Sequence, residues 1–354
     1  MIQERSVSLE LEQGPISKDL EVFYNPKMEG NRTLSIALLQ AIEEEQLQIA
    51  LPLASSGIRG LRMALELPEN KIKSLSCNDM NPKAIAILKE AIKKYDVAIE
   101  VHQQDAQQFL LESKGFDYID IDPFGSPNFL LESAIQRLSR RGILAVTATD
   151  TGALAGSFQN AGKMKYWAIN HTNHAKHEIG LRILARKVML MGMHQGKALT
   201  PVFSYHHQHY YRIFFRLEKS KQKAAKLFEQ LQGYFHHNTV SGKVGDTGEN
   251  CTSAGPCYTG SLQDHHLLEK MKGHLKTEEL CQLIARVQED NTIQTLGCYD
   301  THQLAKYAKK QLPKLQEVTT KLREKGYLAA RSAFHETSIK TTAPYEEIIA
   351  CFTD

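Results

Sequence analysis

No CxxC pair occurs among the six cysteines of this chain, at positions 77, 251, 257, 281, 298 and 351. That spacing offers no disulfide framework, so reduced and mostly buried thiols are expected. A charge excess is missing as well, because 43 Lys and Arg against 40 Asp and Glu leave a formal net charge of +3. So even a balance does not announce a polyanion binder, and any such claim must rest on where the charges sit. No apolar run approaches the roughly 18 to 20 residues of a membrane span. The N-terminal MIQERSVSLELEQG has neither an apolar signal core nor a transit-peptide bias. A cytoplasmic protein with no membrane association is therefore expected. Internal repeats and long low-complexity tracts are also lacking.

What is present is ordinary globular material: 354 residues, 42% hydrophobic and 23% charged, enough for about two domains. From about Ile49 short apolar runs alternate with helical periodicity. The runs are QIALPLA, GIRGLRMALEL, IKSLSCND, NPKAIAILKEAIKKY, IEVHQQD, FDYIDID, SPNFLLESAIQRLS and GILAVTATD. Strands separated by helices of about 10 to 15 residues imply right-handed crossovers and a mainly parallel sheet, so the first half reads as a doubly wound, Rossmann-like α/β domain. A long amphipathic helix is expected around His174 to Met191. Two strand-like runs follow, ALTPVFSYHH and HYYRIFFRLE, and read as an antiparallel hairpin closing the sheet.

The charged EKSKQKAAK at 218–226 marks the expected boundary between residues 1–218 and a smaller α+β domain, 219–354. That second part opens with a Gly, Ser and Asn-rich stretch, GYFHHNTVSGKVGDTGENCTSAGP. Helices are expected at about 277–290, 300–310 and 313–325, then a turn and short strand in GYLAARSAF, an order resembling a winged helix-turn-helix.

Ligands of open α/β sheets bind beyond the carboxyl ends of the strands, so the residues there carry the chemistry. After the first strand, ASSGIRG either lets backbone approach a ligand or is simply a tight strand-to-helix turn. After the second comes Asp79. It either accepts hydrogen bonds from both hydroxyls of a ribose or caps the next helix, for which Asn81 and Pro82 are the better pair. Asp105-Ala106 follows the third strand, placed to contact an adenine amino group, and Asp122-Pro123-Phe124 follows the fourth. This order, small-residue turn, acid, acid, then Asp-Pro-Phe, is that of a class I S-adenosylmethionine-dependent methyltransferase. An exocyclic base amine is a poor nucleophile, because its lone pair is delocalised into the ring. The Asp122 carboxylate and the Pro123 carbonyl would accept its two N–H groups, and Phe124 would stack on the ring. Asp122 would also take the proton lost as the N–C bond forms.

The residues resemble the tRNA (guanine-N2,N2)-dimethyltransferases, which act on guanine 26. The resemblance is carried by VFYNPKMEGNRTLS at 22–35, SGIRGLR at 56–62, CNDMNP at 77–82, DIDPFGSP at 120–127 and TATDTGALAG at 147–156. It continues with KHEIGLRIL at 176–184, GPCYTGSLQD at 255–264 and ARSAFHETSIKTTAP at 330–344. It implies transfer of methyl groups from S-adenosyl-L-methionine to the N2 of guanine 26 in tRNA, giving mono- and dimethylguanosine, with no protein partner implied. It also implies that Arg32, Arg59, Asp79, Asp105 and Ala106 hold the cofactor. Phe23 and Phe124 would flank the guanine and Asp122 would be the catalytic carboxylate. Because the guanine lies in a paired region, it must be flipped out.

Three departures from that family stand out. Leu51 ends the first strand where an acid is usual, and Asn31-Arg32-Thr33 stands where NRD is frequent. The cysteine pairs that bind structural zinc in many relatives are missing, and His236, His237, Cys251 and Cys257 do not make a four-ligand set. No zinc, and no other metal, is expected. His171, His174 and His177 at i, i+3 and i+6 read as solvated or capping rather than metal-binding, and His206, His207 and His209 as solvent-facing at a hairpin turn. From Ala305 to Lys340 nine Lys or Arg stand against three Glu. This local basic face is either a solvated helix surface or a contact for tRNA phosphates. Two alternatives stay open, an amino-methyltransferase of another nucleic acid or amide, and a non-catalytic RNA-binding protein on the same scaffold.

Overall fold

The computed structural model describes residues 1–11 and 21–352. A short ribbon, β1 (Ile2–Glu4) and β2 (Val7–Leu9), precedes α1 (Glu29–Ala41). The alternation expected from the sequence then follows: β3 (Leu47–Leu51), α2 (Ile58–Glu66), β4 (Ile72–Asn78), α3 (Pro82–Tyr95), β5 (Glu100–His102), α4 (Ala106–Glu112), β6 (Phe116–Ile121), α5 (Asn128–Arg137) and β7 (Leu138–Ala148). Next come α6 (Thr151–Leu154), α7 (Gln159–Tyr166) and α8 (Lys176–His194), and then the hairpin β8 (Ala198–His207) and β9 (Tyr210–Glu218).

These strands form one seven-stranded sheet in the order β5-β4-β3-β6-β7-β9-β8. Only β9 runs antiparallel to its neighbours, inserted between β7 and β8. The strand order reverses between β3 and β6, so the crevice for a ligand belongs above that pair.

Alternation along the strands divides the core into two. Ala50, Ile119, Ile121, Leu144 and Val146 face one apolar cluster with α5 and α8. Ile49, Leu51, Tyr118, Ile143 and Ala145 face the other, with α1, α2 and α3. Period-two side-chain placement along a strand has this consequence when both faces are covered.

The rest of the chain contains α9 (Lys221–Phe228), the paired strands β10 (Gly233–Asn238) and β11 (Cys251–Cys257), α10 (His265–Lys272) and α11 (Glu278–Asn291). It ends in β12 (Tyr299–Asp300), α12 (Thr301–Ala308), α13 (Leu315–Glu324), β13 (Ala329–Arg331), β14 (Ser338–Thr341) and α14 (Tyr345–Ala350). The three last helices expected from the sequence before α14 thus fall within a few residues of their observed bounds. The Gly, Ser and Asn-rich stretch is more ordered than its composition suggests. Its β10 and β11 pair antiparallel and send Phe235, Ala254 and Cys257 into the cluster shared with α8. Leu267, Leu268, Met271, Ile284 and Val287 of α10 and α11 join the opposite cluster. A third, small cluster is confined to Leu304–Phe352.

A buried ion group ties these parts together. Lys340 of β14 donates to Glu178 of α8 at 2.9 Å and to Asp290 of α11 at 3.1 Å, and Arg182 also donates to Glu178 at 2.9 Å. Lys340 is therefore not part of the exposed basic face that its sequence position suggested, because its ammonium is buried between two carboxylates. Four of the six cysteines, 77, 257, 298 and 351, are buried. Among the described residues no helix is long and apolar enough to cross a membrane.

Candidate active site

A cavity of about 790 Å³ opens where the strand order reverses. Its floor is built from strand ends. Leu51 ends β3 and Leu53 and Ala54–Ser56 follow it, Asp79 follows β4, and Asp122–Phe124 follow β6. The segment Phe23–Asn25 and Arg32 of α1 form one wall, and Gln208, His209 and Tyr210 at the hairpin tip form another. Of the residues singled out from the sequence, Phe23, Arg32, Arg59, Asp79, Asp122, Pro123 and Phe124 meet here.

The turn after β3 is shaped for close approach. Ser55 and Gly57 both adopt the left-handed conformation, with φ of 46° and 74°. A side chain at Gly57 would also run into Leu88, 2.4 Å from the ideal Cβ position. Gly57 caps α2 without a side-chain hydrogen bond, so the first N–H groups of that helix keep their donors. Asp79 orders this turn: one of its oxygens accepts from the Ser55 N–H at 2.7 Å, the other from the Asn81 N–H at 3.0 Å. The capping of α3 falls to Asn81, which accepts from the Lys83 N–H at 2.9 Å with Pro82 at the first helical position. Asp79 is thereby left facing the cavity.

Asp122 is paired with Arg59 through its Oδ2, while its Oδ1 accepts no hydrogen bond among the described residues. The Pro123 carbonyl is equally unpartnered there. Arg59 is held in turn by Asn31 at 3.0 Å and Ser35 at 3.1 Å, both on α1, and lies 3.3 Å from Asp120. Asp120 forms a fork with Arg212 of β9 at 2.8 and 2.7 Å and accepts from the Tyr118 hydroxyl at 2.8 Å. Burial alone would raise the Asp120 carboxyl, but Arg212 and Arg59 reverse that and hold it below the usual range. A chain of alternating charges, Asp122, Arg59, Asp120, Arg212, thus runs from the cavity into the middle of the sheet. The loop beyond is pinned by Thr149, whose hydroxyl accepts from the Gly125 N–H at 2.6 Å.

Arg32 donates from Nε to Glu4 at 2.6 Å and from Nη2 to Glu4 and to the Asn25 carbonyl. Its Nη1 has no partner among the described residues. Glu4 also accepts from Arg62 at 2.9 Å and from the Tyr24 hydroxyl at 2.9 Å. The N-terminal ribbon is therefore what clamps the FYNP segment over the cavity, a role nothing in MIQERSVSL announced.

Asp105 and Ala106 are not brought into the cavity lining. Asp105 accepts from the N–H groups of Gln107 and Gln108 at 2.8 and 3.1 Å, capping α4, and Ala106 is buried behind it. Phe23 and Phe124 do share one site, but their rings touch edge to face, with centroids 4.2 Å apart at 71°. A base can be flanked by both only after they separate.

The histidines differ most from the sequence reading. His174 is buried, with its Nε2 2.8 Å from the Cys298 carbonyl and its ring edge-on to His237. Burial and then His237 push it down to about 4. His177 and His206 stack with centroids 3.8 Å apart, and burial pushes them down to about 4 and about 3. His174 is thus buried, and His177 and His206 are half-buried against each other rather than free in solvent. His209 is exposed as expected, yet it lines the cavity mouth. Among the described residues no group of three or more His, Cys, Asp or Glu could hold a metal ion.

Comparison with known proteins adds the rest. The family described as N2,N2-dimethylguanosine tRNA methyltransferase matches residues 3–353. A tRNA (guanine(26)-N(2))-dimethyltransferase of Methanocaldococcus jannaschii is 37% identical over 350 residues, spanning 94% of this chain and 93% of that protein. A tRNA (guanine(26)-N(2)/guanine(27)-N(2))-dimethyltransferase of Aquifex aeolicus is 32% identical, over 94% of this chain and 90% of its own. The solved structure of Trm1 from Pyrococcus horikoshii with S-adenosyl-L-methionine superposes with a TM-score of 0.88 at 29% identity, covering 100% of this chain and 99% of that one.

Proposed function

The chain belongs to the N2,N2-dimethylguanosine tRNA methyltransferase family, and from that premise we propose that it methylates the exocyclic N2 of guanine 26 in tRNA, using S-adenosylmethionine. The observation that carries the reading is the meeting of Asp122, Pro123, Phe124 and Phe23 beside Asp79 in one cavity at the strand-order reversal. Its substrate is tRNA and its place of action the cytoplasm. Residues 219–354, with the exposed Lys306, Lys309, Lys310 and Lys314 on a winged helix-turn-helix-like unit, are its principal tRNA-binding part.

The residues fit the cofactor by the chemistry of their free donors and acceptors. Asp79 keeps lone pairs for a pair of ribose hydroxyls beyond its two amide donors, and the Nη1 group of Arg32 is available to a carboxylate. Leu51 stands where an acid would have met an ammonium, directly or through water, so that partner is missing here. Once bound, the cofactor supplies an electrophilic methyl group on a sulfonium.

The chain's own residues do the remaining work. Asp122 Oδ1 and the Pro123 carbonyl accept the two N–H groups of the amine, which holds its nitrogen and limits delocalisation into the ring. Arg59 fixes the orientation of the Asp122 carboxylate. Asp122 then takes the proton released as the new N–C bond forms. Phe23 and Phe124 part to admit the flipped base and exclude water around it.

The test is nucleoside mass spectrometry of a tRNA transcript incubated with enzyme and cofactor, beside a transcript with adenine in place of guanine 26. Methylated guanosine in the first and none in the second is expected. Its absence from the first transcript would exclude the assignment.

A further inference from the structure

We propose that the exposed face of residues 157–167 is a second RNA contact, which seats the tRNA strand flanking the target guanosine; it rests on the tRNA reading above. From Thr151 to His177 the chain carries no Asp or Glu, while Lys163, Lys165 and Lys176 fall within it. Lys165 pairs with Asp150 at 3.2 Å, so the positive charge of the face rests on Lys163. Three large apolar side chains stand out in the same run: Phe158 is 67% exposed, Met164 80% and Trp167 51%. Exposed apolar residues scattered singly need no account, but a group of this kind interleaved with lysines does. Flat aromatic and thioether faces stack on bases of any sequence, and neighbouring ammonium groups neutralise the phosphates between them.

The face is continuous with the proposed catalytic loop. Asn128, just after Ser126-Pro127, donates from its side chain to the Lys165 carbonyl at 2.7 Å. The Tyr166 hydroxyl donates to Asp150 at 2.6 Å and lies 3.2 Å from the Ser126 hydroxyl. A strand whose guanosine is extruded toward Asp122 leaves its flanking nucleotides unstacked on one side, and the face joined to the catalytic loop by these hydrogen bonds would receive them.

Both rings are also held in place. Phe158 lies against Gly152, where the ideal Cβ position is 2.5 Å from the ring. Trp167 ends α7 with φ of 56°, a conformation that costs a bulky residue free energy, and the Lys187 ammonium sits 3.0 Å from its ring centre. An exposed tryptophan held this way is pre-organised, so little is lost in ordering it when a base stacks.

Trp167 is the only tryptophan in the chain, so its emission reports this face directly. The full-length protein is titrated with a tRNA transcript while fluorescence and filter retention are read in parallel. A saturable change in emission with the same midpoint as retention is expected. Lys163→Glu combined with Met164→Glu should weaken retention about tenfold or more and flatten its salt dependence by about one in log–log slope. Cofactor affinity by calorimetry should stay unchanged, which shows that the variant is folded. Emission that is silent at saturating tRNA, or a variant that retains tRNA like the parent, overturns the proposal. Emission that changes with protein concentration alone overturns it in favour of self-association. If the parent chain retains no tRNA, the guanine 26 reading falls and this one with it.

Discussion

Asp120 and Asp122 stand two residues apart, both reach Arg59, and their replacement by asparagine should have opposite consequences. The Asp120 side chain is 1% exposed, and Arg212, its forked partner, is fully buried. Asp120→Asn keeps the shape but leaves the buried Arg212 with no carboxylate partner and Arg59 with Asp122 alone. Breaking a buried pair in this way costs about 3–5 kcal/mol, because the surviving charge is uncompensated. At about 2 °C per kcal/mol for a chain of this size, the melting temperature should fall by about 6–10 °C. The Asp122 side chain is 21% exposed at the cavity, and Arg59 keeps Asp120 when Asp122 is neutralised. Asp122→Asn should therefore change stability by about 1 kcal/mol or less, yet lower single-turnover methyl transfer by about 10²- to 10⁴-fold. Thermal unfolding and a labelled-methyl assay on both variants decide the matter. The reasoning is refuted if Asp120→Asn melts like the parent, or if Asp122→Asn keeps turnover within a few-fold of it.

Other consequences follow from the same geometry. Asp79→Ala removes both amide contacts of the Ser55 turn as well as the proposed hydroxyl acceptor, and Arg32→Ala removes a proposed carboxylate donor. Each should weaken cofactor binding about 10- to 100-fold by calorimetry, at about 1.5–3 kcal/mol per charged hydrogen bond. Phe23→Ala and Phe124→Ala should each weaken productive tRNA engagement by about 1–3 kcal/mol, visible in kcat/KM, with cofactor affinity retained; weakened cofactor binding would show the rings serve another purpose. His174, His177 and His206 are neutral when folded, with pKa values pushed below the ordinary 6.5 to about 4, about 4 and about 3. Below pH 6.5 the unfolded chain binds more protons, so stability falls as the pH drops from there toward 4. The buried His174 contributes up to about 1.4 kcal/mol per pH unit, and the half-buried His177 and His206 contribute less because solvent screens them. Denaturant unfolding across that range should show the slope, and His206→Asn should flatten it.

Much of the fold was legible in the sequence because it is written in local terms. Apolar runs of strand length, separated by helical periodicity, specify a parallel sheet whatever surrounds them. Asn81-Pro82 specifies a helix start. The strand ends that carry Asp79 and Asp122 are found by counting strands, since the crossover rule places those ends on one side. Asp105 shows where counting stops. It follows the third strand as expected, but β5 is a short edge strand and the carboxylate is engaged in capping α4.

What the residue order determined by itself was the sheet, the ends of its strands and the family of the motifs. Only the tertiary structure decided which charges neutralise one another. Glu4 clamps Arg32 from 28 residues away, Arg212 reaches Asp120 across 92, and Lys340 lies buried against Glu178 across 162. It also buried His174 and stacked the half-buried His177 on His206, and closed Phe23 against Phe124. Burial and pairing depend on what the rest of the chain brings to a side chain, and no local pattern carries that information.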